Sequence, residues 1–209
     1  MKSASRHSSR SAIRRTSAAA LLLAALLGLN ACAGAVVGAG AAAGTAGLQE
    51  RGIDIAIVDS RIQAEINHGW LELDKELFVH LASAVYEGRV LLTGVVKSED
   101  LRAEVIRRAW SVRGVREVIN EIAVDSKGSS GTFARDTWIS AQLRAKILVD
   151  RDILGVNYAV ETVRQTVYLF GVAQDKKELD KVINYARNIE FVERVVNHVL
   201  LKNDPRRKS

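Results

Sequence analysis

An internal repeat constrains this chain more than any other feature. A gapless shift of 77 residues aligns the middle of the chain with its C-terminal part. The shift pairs Asp59 with Asp136 and Gly94 with Gly171, and it brings apolar positions into register: Ile62 with Ile139, Val90 with Val167, Leu92 with Leu169, Val105 with Val182 and Val118 with Val195. We therefore expect two copies of one small folding unit, joined by the Gly- and Ser-rich segment 126–135.

Within each copy, the apolar residues follow a helical period first and a strand period next. They recur every four residues at Val58, Ile62, Ile66 and Trp70, and again over 139–147, which predicts a first helix that Asp59 or Asp136 would cap. Alternation then predicts two strands joined by a turn at 87–88, a second helix, and a last strand over 115–124 or 192–201. We predict an α+β fold in which each copy is a small three-stranded mixed sheet with two helices on one face, in the order α-β-β-α-β.

The N-terminal region has the features of an export signal. Residues 1–15 carry five basic residues and no acid, and the Ala/Leu run 18–27 is too short to cross a bilayer. The following Leu29-Asn30-Ala31-Cys32 resembles the bacterial lipobox, in which the cysteine sulfur is lipidated and the chain is cut before it. We expect a lipoprotein signal peptide over 1–31, lipidation at Cys32 and an Ala/Gly-rich tether over 32–53. The alternative is an ordinary secreted protein with a free thiol.

Charge is distributed unevenly along the chain. The net charge of +6 comes mostly from residues 1–31, because the rest holds 25 basic and 24 acidic residues and no RNA-binding motif. We therefore expect no nucleic-acid partner. Residues 54–125 carry nine basic and thirteen acidic residues, whereas 126–203 carry twelve and nine, so only the second copy should attract anionic lipid. The basic tail 203–209, with Arg206 and Arg207, is expected to be a disordered end.

The strand motif Val90-Leu91-Leu92-Thr93-Gly94, its counterpart at 167–171 and the closing motif 114–120 carry a family resemblance. Each copy, 54–125 and 136–202, resembles the BON domain, and the whole chain is similar to the dual BON-domain outer-membrane lipoproteins. In the second copy, Phe191 stands where the closing motif of the first has Gly114. The resemblance implies binding of anionic phospholipid and support of envelope integrity. Ala33, where Asp would signal retention in the inner membrane, favours the outer membrane, with the protein facing the periplasm.

Comparison of the two copies singles out Trp138, which aligns with Arg61. Trp138 lies about 100° around the helix from the core stripe, and Trp is typical of bilayer interfaces. Basic residues nearby would suit lipid phosphates. The predicted membrane-binding residues are Trp138, Arg135, Thr137, Arg144 and Lys146. The alternative is that Trp138 fills a gap between the two domains, while Trp70 and Trp110 are read as core or core-edge residues.

The sequence contains no residue pattern that is typical of a catalytic site. His68, His80 and His198 have no metal-ligand neighbour at a suitable spacing, and neither a nucleophile elbow nor a phosphate loop is present. We expect no enzymatic activity, metal or cofactor. The leading hypothesis is a lipid-binding adaptor. Its rival is a protein-interaction adaptor for an envelope assembly or stress-response factor, and a third possibility is an ion or small-ligand sensor.

Overall fold

The computed structural model describes residues 49–75, 80–126 and 131–207. Among these residues, domain 1 consists of α1 (Gly52–Leu73), β1 (Leu81–Tyr86), β2 (Arg89–Val96), α2 (Glu99–Ser111) and β3 (Glu117–Val124). Domain 2 consists of α3 (Phe133–Val149), β4 (Tyr158–Val163), β5 (Thr166–Ala173), α4 (Lys176–Arg187) and β6 (Arg194–Leu201). The predicted signal peptide, Cys32 and the tether up to residue 48 lie outside the described residues.

The two domains have the same topology. In domain 1, β2 is the central strand and pairs antiparallel with β1 and parallel with β3, and β5 does the same between β4 and β6. The predicted α+β class and the α-β-β-α-β order are confirmed. The helices of each domain cover one face of its sheet, where Ile62, Trp70 and Val105 form a core with Val90 and Leu92 in domain 1. The second helices are capped as their sequences suggest, because Ser98 and Asp175 accept the amides of Leu101 and Glu178.

The prediction that Asp59 and Asp136 cap their helices was wrong. Both helices begin upstream, at Gly52 and Phe133, and the two carboxylates are buried. Asp59 accepts the backbone amides of Glu87 and Gly88 at 2.7 and 2.8 Å. Asp136 accepts the equivalent amides of the second hairpin turn, those of Arg164 and Gln165, at 2.9 and 2.8 Å. All four turn residues have positive φ, as in the tightest two-residue hairpins, and each aspartate satisfies the inward-facing amides of its turn.

Three further expectations were wrong. Val58 is 44% exposed, because it lies about 100° around α1 from Asp59, outside the buried stripe of this helix, which begins at Ala56 and Asp59. Trp110 is 50% exposed at the end of α2, whereas Trp70 is buried as predicted. In the tail, residues Pro205–Arg207 form a 3₁₀ turn, and Arg207 donates to both carboxylate oxygens of Glu87 in domain 1, at 2.6 and 3.0 Å.

The helix-free faces of the two sheets pack against each other. Alternate residues of the strands point away from the helices and form a third apolar cluster made by both domains: Ala84, Tyr86 and Leu91 from domain 1, with Tyr168, Phe170 and Val172 from domain 2. Both central strands are therefore buried over their full length. Polar contacts also join the two domains, among them the ion pair of Arg164 with Asp125 and the hydrogen bond between His198 and Glu121.

This packing gives four layers, in the order helices, sheet, sheet, helices. The two helical layers lie on opposite outer faces, so α1 and α3 are directed away from each other. All three apolar clusters consist of residues between Gln49 and Arg207. A fragment that begins at Gln49 therefore contains every side chain that the described residues contribute to these clusters.

Candidate functional site

The outward side of α3 is apolar, although it faces solvent. The buried side of this helix carries Asp136, Ile139, Ser140, Leu143 and Ile147. At 100° per residue, the opposite side presents a row that we call the outer stripe of α3: Trp138, Ala141, Ala145, Leu148 and Val149. Every residue of this row is exposed, and the exposed fractions of Trp138, Leu148 and Val149 are 41%, 77% and 78%. A helix packed on a sheet normally directs polar side chains to this side.

Cations border the outer stripe of α3. The guanidinium carbon of Arg135 lies 4.9 Å from the ring centroid of Phe191, and Lys146 Nζ lies 5.9 Å from the ring centroid of Tyr185. The acidic residue of α3, Asp136, is buried and directed to the hairpin turn. Apart from Thr137 and Gln142, the exposed side chains of the helix are therefore apolar or basic, and none of them is a carboxylate.

The equivalent surface of domain 1 has a different character. On α1, Arg61 aligns with Trp138, and its guanidinium pairs with Glu65 at 2.6 Å. One turn further on, His68 and Glu72 are 3.2 Å apart. The same fold therefore accommodates a charged, self-paired helix surface, which means that the apolar stripe of α3 is not a requirement of the fold.

The structure brings together only some of the residues predicted for membrane binding. Trp138, Arg135 and Lys146 share the outer side of α3, whereas Thr137 donates its hydroxyl to the carbonyl of Phe133 at 2.8 Å. Arg144 lies on the other flank, where it donates to the carbonyl of Val160 and pairs with Glu161 at 3.2 Å.

Arg144 borders a cleft of about 200 Å³ between the two domains. Glu161 also lines this cleft, and burial raises the pKa of its carboxyl, with the nearby Arg144 partly opposing that effect. Thr93, on β2 of domain 1, reaches the same cleft, and its buried hydroxyl has no hydrogen-bond partner among the described residues. The cleft is thus lined by polar groups of both domains. Arg144 faces this cleft and not the outer side of α3, where Trp138 lies.

Phe191 is a site residue that sequence reasoning did not include. It lies in the turn between α4 and β6, is 47% exposed, and meets Trp138 edge to face with ring centroids 5.9 Å apart. The partner of Trp138 is thus a residue of its own domain. The signal was present in the sequence, because Phe191 replaces the glycine found at this place in the first copy.

Neither a metal-binding group nor a membrane-spanning helix is found among the described residues. No group of three His, Cys, Asp or Glu side chains in that part of the chain could hold a metal ion. None of the helices found there combines the length and apolar character needed to cross a membrane.

Comparison with known proteins gives a consistent family. A family model described as the BON domain matches residues 78–126 and 135–203. An uncharacterized protein from the gshII 5′ region of Anaplasma centrale is 42% identical over 66% of this chain and 95% of its own length. The outer membrane lipoprotein DolP of Haemophilus influenzae is 28% identical over 85% of this chain and 92% of its own length.

More distant similarities also occur. The osmotically-inducible protein Y of Escherichia coli is 27% identical over 69% of this chain and 73% of its own length. Among solved structures, the type III secretion structural protein CdsD of Chlamydia trachomatis aligns at 15% identity with a TM-score of 0.28. That alignment covers 68% of this chain and 63% of CdsD.

Proposed function

The chain belongs to the BON-domain family, and on that basis we propose that it is an outer-membrane lipoprotein that binds anionic phospholipid through domain 2 and supports envelope integrity. In this proposal, acyl chains on Cys32 hold the protein at the periplasmic side of the outer membrane. The similarity to DolP supports this location. The similarity to an osmotically inducible protein supports a role during envelope stress.

The outer stripe of α3 is the observation on which the lipid proposal rests. Transfer of exposed Trp, Leu and Val side chains out of water is favourable, and an indole ring is suited to the headgroup level of a bilayer. The bordering Arg135 and Lys146 would each add about 1 kcal/mol of attraction near an anionic surface. Since the acidic residue of α3, Asp136, is buried, the exposed face of this helix carries no carboxylate that would repel an anionic surface.

The four-layer arrangement determines how the molecule would lie on the membrane. Because the two helical layers are on opposite faces, a flat bilayer that contacts α3 cannot also contact the outer side of α1. The charged, self-paired surface around Arg61 then faces the periplasm. The lipid anchor supplies attachment, and the contact through α3 supplies orientation and selects regions rich in anionic lipid.

Vesicle sedimentation tests this proposal. The fragment from Gln49 to the C terminus is mixed with vesicles of phosphatidylcholine alone or with phosphatidylglycerol, and the Trp138→Glu variant is measured beside it. We expect binding to anionic vesicles only, weakened at least tenfold by Trp138→Glu because a carboxylate replaces the indole. The matched control is Trp110→Glu, which changes an indole that is 50% exposed in domain 1 and should leave binding unchanged. Binding that ignores lipid charge or Trp138 refutes the proposal.

Lipid attachment is tested separately in cells. A Cys32→Ser variant should lose incorporation of labelled fatty acid and leave the membrane fraction, since it retains no sulfur for acylation. Retention of Cys32→Ser in the membrane with undiminished label would contradict anchoring at this residue.

A protein-interaction adaptor is the second candidate, and the first two turns of α1 favour it. Ile53, Ile55 and Ile57 are 44–63% exposed there, on the helical layer opposite to α3. If this apolar surface binds an envelope protein, the double variant Ile53→Ser and Ile57→Ser should fail to support envelope integrity in cells while it still binds anionic vesicles. Normal envelope integrity in cells that carry this variant would exclude the surface from function.

A further inference from the structure

We infer that Phe191 is a second membrane anchor, which extends the lipid-contacting surface from α3 onto the turn between α4 and β6. The inference rests on the proposed function, because it concerns the same contact with anionic phospholipid. It adds an element that the outer stripe of α3 does not include, and it assigns a role to Arg135, whose guanidinium lies over the Phe191 ring.

The backbone at Phe191 indicates that the fold does not require a phenylalanine there. Its φ is +67°, in the left-handed region that favours glycine, and the equivalent Gly114 of domain 1 has a φ of +101°. A Cβ atom at Gly114 would lie 3.1 Å from Ile62 Cδ1, so glycine also suits the packing of that turn. Domain 2 thus holds a large aromatic residue in a conformation that glycine adopts without strain. Strain of this kind is characteristic of functional positions.

The environment of the Phe191 ring indicates a surface role. The ring is 47% exposed, and it lies beside Trp138 at an interplanar angle of 65°, so neither ring covers the other completely. Together they form a continuous aromatic surface across two elements. A single exposed aromatic residue needs no explanation, but two in contact, one of them on the outer stripe of α3, form a patch.

Arg135 gives this patch the charge that suits an anionic headgroup. Its guanidinium lies over the Phe191 ring at 4.9 Å, and one of its N–H groups donates to Gln165 Oε1 at 3.2 Å. A guanidinium on an aromatic face retains donors directed to its edges, and paired donors match phosphate oxygens well. The cluster therefore has rings that would enter the headgroup layer and a cation placed to bind a lipid phosphate. An anionic bilayer is the partner that satisfies both.

The test uses Phe191→Gly and Phe191→Asn in the fragment from Gln49, because both residues tolerate the left-handed backbone. We expect binding to vesicles that contain phosphatidylglycerol to weaken about tenfold, which corresponds to about 1.4 kcal/mol. The melting temperature should stay within a few degrees of the native value. The control Trp110→Ala, which removes an exposed ring from domain 1, should bind as the native fragment does.

Three results would overturn the inference. If both Phe191 variants bind within twofold of the native fragment while Trp138→Glu abolishes binding, Phe191 is not an anchor but the proposed function stands. If Trp138→Glu also has no effect, the proposed function fails and the inference fails with it. If both Phe191 variants unfold at ordinary temperature, the ring is required by the fold and its placement needs no membrane.

Discussion

Replacement of Asp136 offers a direct test of how the hairpins are held. Its carboxylate accepts the amides of Arg164 and Gln165, which have φ values of 50° and 62° and form the turn between β4 and β5. Neither amide has a ladder partner, because the two residues lie beyond the paired strands. We therefore expect the Asp136→Ala variant to leave two inward-facing N–H groups without an acceptor.

The magnitude follows from these two bonds. A buried donor left unsatisfied costs about 1–3 kcal/mol, so the loss of both costs about 2–6 kcal/mol. A domain is stable by only about 5–15 kcal/mol in total, so domain 2 of this variant should be marginally folded. Asp136→Asn should lose less, because the amide side chain keeps one acceptor oxygen. Asp59→Ala should lose more than Asp136→Ala, because Asp59 also pairs with Arg51 at 2.6 Å.

Urea denaturation at pH 7, followed by far-ultraviolet circular dichroism, measures these differences in the fragment from Gln49. Asp180→Ala is the matched control, since that carboxylate forms an exposed pair with Lys176 and should contribute less than about 1 kcal/mol. A loss of under about 1 kcal/mol for Asp136→Ala would refute the reasoning, because it would mean that water satisfies the turn amides as well as the carboxylate does.

Three other perturbations test the remaining interactions. Hydrogen bonds from Lys181 and Tyr185 hold the pKa of Asp150 at about 2. Its stabilising effect is therefore complete above about pH 4 and lost as the pH falls toward 2, so Asp150→Asn should lower the urea midpoint at pH 7 and not at pH 2. Phe170→Ala removes a fully buried ring from the domain interface and should cost about 3–5 kcal/mol. Because the two domains should then unfold separately, calorimetric unfolding should split into two transitions. A single transition would contradict the idea that Phe170 couples the unfolding of the two domains. Arg207→Ala leaves the buried carboxylate of Glu87 without its bidentate partner and should lower the free energy of unfolding, measured by urea denaturation, by about 3 kcal/mol. An unchanged urea midpoint would show that the contact between the tail and Glu87 is not stabilising.

The sequence alone predicted the features that depend on near neighbours along the chain. Helical and strand periods reflect the geometry of single elements, so they indicated the element order of each copy, and the 77-residue repeat indicated that this order occurs twice. The outward position of Trp138 followed from its angle to the core stripe. Export, lipidation at Cys32 and the membrane role of the predicted site residues stay predictions, to be tested by the experiments above.

Tertiary structure decided what depends on residues far apart in sequence. Asp59 and Asp136 had the chemistry of helix caps, but a carboxylate bonds whichever amides the fold places in front of it, and these belong to hairpin turns nearly 30 residues away. Arg144 had the charge of a phosphate ligand, but the position of β4 pairs it with Glu161.

Local sequence patterns also did not predict that the two sheets pack against each other. The apolar residues that join the domains, such as Leu91 and Phe170, alternate with the core residues of their strands, and alternation alone does not say what covers the second face. The repeat thus determined two like domains, each with its helices on one face of a sheet. Only the burial of both remaining sheet faces against each other placed α1 and α3 on opposite sides of the molecule.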